Sequence, residues 1–210
     1  VLFINIDGPA KHQDAFEKTA MHDAIYKSGL AEVVEKLIMS VADAHGVGSA
    51  IEGPLAKVGE HLNQHGAMMS ISLNASLPNA PPLPQLQIIL PGAAAFGEQI
   101  DALIQNLPLP VNNEEIKGRS VNSVIIPNTP GVVVALWVEG EHLVLVAGIG
   151  AIESHIAVAD GTAKNVTQGA AWAKYGPQTA DFDLTASVWF DAGQLAETYG
   201  AVPLPIPGND

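Results

Sequence analysis

Three consecutive β-strands are predicted between Val121 and Gly148, and they constrain the fold more than any other part of the chain. The predicted strands Val121–Ile126, Val132–Val138 and His142–Ala147 are rich in Val, Ile, Leu and Trp, which fit a pleated sheet. The short segments between them contain Pro, Asn and Gly, which favour turns. Because strands joined by such short turns pair antiparallel, the pattern predicts a meander near 121–148 and a sheet at the centre of the fold.

The composition is that of an acidic protein with enough apolar residues to form a core. Of 210 residues, 48% are hydrophobic, and nine Lys and Arg face 22 Asp and Glu, for a formal net charge of −13. Nucleic-acid binding needs clustered cations that replace phosphate counterions, so we expect no nucleic-acid partner. The chain has no cysteine, which excludes disulfides and thiolate metal ligands. No apolar run reaches the ~18 residues of a membrane helix, so we expect no transmembrane segment.

Helical periodicity alternates with strand patterns along the rest of the chain. An apolar stripe at helical spacing predicts a helix over Leu30–His45, and similar spacing predicts helices over Pro54–His65 and Ala93–Leu107. Prolines between Pro78 and Pro84 remove backbone donors and exclude a helix or an inner strand there. The fold expected is α+β, a mostly antiparallel sheet with helices packed on one face. The other predicted strands are Val1–Ile6, Met68–Leu73, Leu86–Leu90 and Leu184–Phe190, a hairpin is predicted at Glu115–Ser120, and the other predicted helices are Gln13–His22, Ile152–Ala159, Gln168–Tyr175 and Ala192–Tyr199.

The chain is predicted to divide into an α+β domain over 1–180 and a strand–helix segment with a proline-rich tail over 181–210. Val1–Gly8 runs as strand, aspartate and helical segment, and Ser187–Gly193 repeats that order. This echo makes 181–210 a candidate for the start of a second repeat. Its strand would then pair with the first sheet or with another subunit, and the oligomeric state stays open.

His61 and His65 are the candidate metal ligands. Side chains four residues apart share one face of a helix, and two imidazoles at that spacing can share a zinc ion. The glutamate that follows the first histidine of zincins is absent, and a third ligand would have to come from elsewhere. The alternative is a capping role, because His45-Gly46 and His65-Gly66 close predicted helices, where imidazolium favours the negative dipole end.

Two further polar patterns favour structural roles. Gly148 and Gly150 lie between a strand and a helix, but Glu153 stands where a dinucleotide fingerprint has its third glycine, so a tight turn is predicted. Ser154 and His155 are neighbours on a helix and diverge by about 100°, which does not suit a nucleophile and its base. We therefore predict no catalytic residue and no cofactor.

The order of the predicted segments carries a family resemblance. Leu86–Pro91 precedes the helical Phe96–Ile104, Ile116–Gly118 opens a hairpin, and Asn165–Trp172 is a polar segment that ends in an aromatic residue. Over about residues 1–175 this order resembles a family of uncharacterised bacterial proteins, a domain of unknown function of planctomycete and cyanobacterial type. The resemblance implies an extracytoplasmic α+β domain, secreted or anchored in the envelope, and implies no catalytic residues.

Three classes of function are compatible with these patterns. We expect first a non-enzymatic binding or interaction module of the bacterial cell envelope, whose partner is a protein or a small molecule. The second class is a metal-dependent hydrolase that uses His61 and His65 with a carboxylate. The third is a carrier of apolar molecules between sheet and helices, which needs a cavity of several hundred Å³. Because Val1 opens directly on a strand-like run, we also expect the natural chain to begin earlier.

Overall fold

The structure, a computed structural model, is built around one eight-stranded antiparallel sheet. It describes residues 2–18, 20–23, 27–29, 36, 48–74, 83–97, 110–126, 129, 131–175 and 186–193. The strands are β1 (Leu2–Ile6), β2 (Ala67–Asn74), β3 (Leu83–Leu90), β4 (Val111–Ile116), β5 (Arg119–Ile125), β6 (Val133–Glu139), β7 (His142–Gly148) and β8 (Ala186–Phe190). The helices are α1 (Gln13–Phe16), α2 (Ala20–His22), α3 (Gly48–His65), α4 (Ala151–Ala159) and α5 (Ala170–Tyr175), with 3-10 turns at Pro9–His12, Ala94–Phe96 and Val166–Gln168.

The predicted meander is confirmed as β5, β6 and β7, and β4 joins it through the predicted hairpin. Ile116 faces Arg119 across a two-residue turn, in which Lys117 and Gly118 have φ angles of 49° and 78°. Two left-handed residues form the turn whose twist matches that of paired strands. The local sequence therefore sets the register of this hairpin, and the α+β class of the fold is confirmed.

Two antiparallel runs of strands meet in the middle of the sheet. The strand order is β4-β5-β6-β7-β3-β2-β1-β8, so β1 to β3 form one run and β4 to β7 form the other. They join along the β3–β7 ladder, from Leu86 opposite Ala147 to Leu90 opposite Leu143. We call this ladder the central seam. The chain then turns directly into α4 through Gly150, whose φ is 65°, which confirms the predicted strand-to-helix turn.

The two faces of the sheet carry separate apolar clusters. Neighbouring residues of a strand point to opposite faces of the sheet, so Val144 and Leu143 belong to clusters on opposite faces. On the first, which we call the α4 face, the buried cluster is Val121, Ala135, Trp137, Val144 and Val146 with Ala151 and Ile156 of α4. On the opposite face, Leu136 and Leu143 pack with Ala93 and Phe96. Described elements thus contact both faces, and the packing of the helices on one face stays a prediction.

Several predicted boundaries differ from the structure. α3 begins at Gly48, well before the predicted start at Pro54. The prediction that Pro84 lies outside any inner strand is wrong, because Pro84 pairs with Leu73 within β3. The ladder of β3 with β7 begins only at Leu86, so the missing N–H of Pro84 removes no hydrogen bond from it. The predicted helix Gln13–His22 is divided between α1 and α2. Most of the helix predicted over Leu30–His45, most of that over Ala93–Leu107, most of that over Ala192–Tyr199 and the tail after 193 lie outside the described residues.

β8, the last strand in the described residues, belongs to the same sheet as β1 to β7. β8 pairs antiparallel with β1, from Leu2 opposite Phe190 to Ile6 opposite Ala186. The proposed boundary between 1–180 and 181–210 stays a prediction. Within the described ranges, no helix is both long enough and apolar enough to cross a membrane.

Candidate functional site

His61 and His65 lie together at the end of α3, as their spacing predicts. Their rings stack with centroids 4.6 Å apart. The Nε2 atom of buried His61 donates a hydrogen bond to the carbonyl oxygen of Pro91 over 2.7 Å, and the edge of Phe96 packs on the same ring at 5.1 Å. Because Nε2 carries the proton of that bond, only Nδ1 of His61 is left to bind a metal ion in this arrangement.

His142 is a third imidazole at the same turn, and sequence reasoning missed it. The Gly92 N–H donates to Nδ1 of His142 over 3.3 Å, and Gly92 follows Pro91 directly. Local patterns carry no signal for this contact, because the central seam creates it. In the part of the chain that the structure describes, no group of three or more His, Asp or Glu side chains is placed to hold a metal ion. The metal site at His61 and His65 stays a prediction.

A row of polar side chains lies between α4 and the sheet. Ser70 Oγ donates to Gln87 Oε1 over 3.0 Å, and Gln87 Nε2 donates to Nδ1 of His155. Gln85 Nε2 donates to the carbonyl oxygen of Ile149 over 2.6 Å. Buried polar groups are stabilised when they find such partners, so this row attaches α4 to β3. The sequence marked His155 only as the neighbour of a serine, whereas the fold uses it in packing.

The pKa of His155 is lowered, and burial of the imidazole is the largest cause. The nearby Glu139 carboxylate raises this pKa by a smaller amount, and Arg119 lowers it slightly further. The hydrogen bond that Nδ1 accepts from Gln87 also requires an unprotonated Nδ1. The folded protein therefore holds this imidazole neutral at a pH where the unfolded chain, with a pKa of about 6.5, begins to protonate it. Since the unfolded state then binds more protons, the free energy of unfolding falls as the pH drops below about 6.5.

Replacing His155 with glutamine is expected to weaken this pH dependence. The variant removes the titrating group but keeps a polar side chain that can accept from Gln87. Urea unfolding between about pH 7 and pH 5 should show a smaller loss of free energy for the variant than for the natural chain. The other histidines are present in both proteins and cancel in the difference. Equal losses would contradict the assignment of a neutral, buried His155.

Arg119, the only arginine of the chain, joins β5, β6 and the end of α4. Its Nη2 atom donates to Glu139 Oε1 over 2.9 Å and to Asp160 Oδ1 over 2.8 Å. The indole N–H of Trp137 donates to Glu139 Oε2 over 3.1 Å. Hydrogen bonds from Arg119 lower the pKa values of Glu139 and Asp160, so both carboxylates stay ionised and paired. This network has a structural role.

The two edges of the sheet differ in chemistry. On β4, Glu114 and Glu115 are exposed, and charged side chains on an edge strand discourage pairing with another chain. β8 has no charged residue, and Val188 and Phe190 are 66% and 56% exposed. Among the described residues, the outer side of β8 has no strand beside it. We call this side the β8 edge, and it is the apolar edge of the sheet.

Aromatic contacts hold β8 in place on the α4 face. Trp189 of β8 meets Trp172 of α5 edge to face, with centroids 5.4 Å apart. Trp172 also meets Phe3 of β1 at 5.7 Å. Such tilted pairs stabilise packing beyond the apolar area they bury. Through these contacts, both α5 and β1 position the β8 strand.

An apolar depression lies where α3 meets the ends of β1 and β2. Its volume is about 240 Å³, below the several hundred Å³ of pockets that hold a drug-sized ligand. This depression therefore adds no support to a carrier function. Its lining residues are Ile6, Pro9, Gly59, Leu62, Asn63, Gly66 and Ala67.

The fold and these sites define an α+β protein with one antiparallel sheet, one charged edge and one apolar edge. No family model, curated protein or solved structure matches the chain. The resemblance to an extracytoplasmic bacterial family stays a prediction, which rests on the order of the segments alone.

Proposed function

We propose that this protein is a non-enzymatic interaction module of the bacterial cell envelope and that it binds its partner along the β8 edge. The observation that carries this proposal is the exposure of Val188 and Phe190 on an uncharged outer strand. An extended segment that adds to a sheet edge gains backbone hydrogen bonds, and pockets for alternate side chains give specificity. The envelope location is supported by the family resemblance.

Both exposed residues lie on the same face of the sheet. The pairing runs from Val188 to Ile4, Met69, Ile88 and Leu145 across five strands, and residues that face each other in a ladder share a side. Val188 and Phe190 thus extend the apolar face opposite α4. A partner strand beside β8 would cover them and continue that face.

The polar groups that could support other functions already have structural partners. Gln87 holds His155, Pro91 accepts from His61, and Arg119 pairs with two carboxylates. Using these groups in a reaction would require breaking bonds that stabilise the fold. The hydrolase that would use His61 and His65 with a carboxylate is therefore the weaker proposal.

Photocrosslinking in the encoding bacterium tests the proposed function. A photoreactive p-benzoylphenylalanine at Val188 is expected to give a protein adduct of reproducible mass in the envelope fraction. The matched control places the same group at Asn112, an exposed residue of the charged edge. Adducts of equal yield from both edges, or none from Val188, would remove the support for an interaction through β8. Recovery of the chain in the cytoplasmic fraction would overturn the proposed location.

A further inference from the structure

The β1–β8 ladder has the symmetry of two copies of one segment. Both strands have five residues, and each ends one residue before an aspartate, Asp7 or Asp191. A helical turn follows each aspartate, at Pro9 and at Ala192. Aligning the two aspartates makes Ile4 the equivalent of Val188. In the structure these two residues face each other at the centre of the ladder.

This coincidence is what a two-fold axis through the ladder requires. In a two-fold interface, each residue on the axis faces its own equivalent, and the other contacts occur in reciprocal pairs. Leu2 faces Phe190, and their equivalents Ala186 and Ile6 face each other as well. The aspartates stand just beyond the two opposite ends of the ladder. β1 and β8 are therefore arranged like the β1 strands of two identical units that pair across a two-fold axis.

The equivalent residues Ile4 and Val188 differ in their exposure to solvent. Ile4 is partly buried, with β2 on one side and β8 on the other. Val188, its equivalent, pairs with β1 alone among the described strands and is 66% exposed. Near the strand ends the two positions agree, since Ile6 is 45% exposed and Phe190 is 56% exposed. At the centre, Ile4 faces Met69 of β2, whereas no described strand lies on the outer side of Val188.

We propose that β8 is the first strand of a second copy of the unit formed by β1 to β7, and that the β8 edge receives that copy's strand equivalent to β2. The two copies then share one continuous sheet around an axis between Ile4 and Val188. This inference rests on the proposed interaction through β8 and names the partner. Where the second copy belongs to the same polypeptide, the crosslink from Val188 joins two segments of one chain and is detected by peptide mapping. In the first unit, Ile4 faces Met69 and Leu2 faces Ile71. In the same register, the second copy's equivalent of Met69 lies opposite Val188, and its equivalent of Ile71 lies opposite Ala186.

Disulfide trapping with a peptide tests this register on the full chain. The chain has no cysteine, so a single Val188→Cys or Ala186→Cys substitution introduces its only thiol, and both positions are exposed. The probe is a peptide of residues 67–74 with lysines at both ends for solubility and either Met69→Cys or Ile71→Cys. Facing residues in a ladder have Cα atoms about 4.5–5.5 Å apart, which a disulfide can bridge, whereas residues two positions out of register cannot be bridged without backbone movement.

The matched pairs, 69 with 188 and 71 with 186, are expected to form the disulfide in about tenfold higher yield than the two exchanged pairs. A scrambled peptide with the same lysines controls for attraction to the acidic chain, and Asn113→Cys on β4 controls for the other edge. Equal yields in all pairs, or trapping at Asn113, would overturn the inference. Adducts from Val188 in cells without register-specific trapping would leave the interaction function standing and refute the second copy as the partner.

Discussion

Replacing Trp137 with alanine is expected to lower the free energy of unfolding by about 3–5 kcal/mol, the range for truncating a buried aromatic residue. The side chain is only 2% exposed and lies in the cluster between the sheet and α4. Its ring packs edge to face on His155 with centroids 5.1 Å apart, and its N–H donates to Glu139. The substitution therefore leaves a cavity and removes a donor from the network of Arg119.

The adjacent Val138 supplies the matched control for Trp137. It belongs to the same strand but points to the opposite face and is 41% exposed. Val138→Ala should cost less than about 1 kcal/mol, since little surface there is removed from water. Urea unfolding monitored by far-UV circular dichroism measures both variants. Similar losses for the two would show that the core is not centred on Trp137.

Replacing Gly66 with alanine is the second substitution expected to have a large effect. Gly66 ends α3, with a φ of 75° that favours glycine. A methyl group there would overlap the carbonyl oxygen of Ile6 and lie 2.9 Å from the Cα atom of Asp7. Because both neighbours are backbone atoms, β1 or α3 must move. We expect a loss of about 3 kcal/mol or more.

Gly118 separates the two causes of that loss. Its φ is 78°, close to that of Gly66, but a methyl group would meet no atom within 4 Å. Gly118→Ala therefore reports the cost of the left-handed backbone alone, about 1–2 kcal/mol. Thermal and urea unfolding of both variants give the difference. If the two losses are equal, the close approach between α3 and β1 does not constrain the fold.

The sequence predicted the elements whose causes are local. β5 to β7 follow from β-branched residues between turn residues, and Gly66 ends α3 because a glycine tolerates the left-handed conformation that follows a helix. α4 was predicted to within a residue of its start. These features depend on residues that are near neighbours in the chain, so a single sequence is enough to predict them.

The pairing of distant elements was not predictable in the same way. No local pattern indicates that β3 lies beside β7, or that β8 lies beside β1, because many antiparallel orders satisfy the same alternation of residues. The contacts of His142 and His155 depend on that order, so sequence reasoning could not find them. The inclusion of Pro84 in β3 was missed because its pairing with Leu73 overrode local preference. The start of α3 was missed because Pro54 was placed in the first turn, whereas it lies inside the helix.

The central seam has a consequence for how the chain folds. Each run of strands consists of contacts between segments close in sequence, apart from the long connection between β1 and β2, and such local contacts cost little loop-closure entropy. The seam unites residues from two distant parts of the chain, so it costs loop-closure entropy, as the β1–β8 ladder also does. α4 follows the seam directly and attaches to it through the glutamines of β3. α4 thus stabilises the contact between the two runs of strands, because it follows β7 in the chain and is hydrogen-bonded to β3.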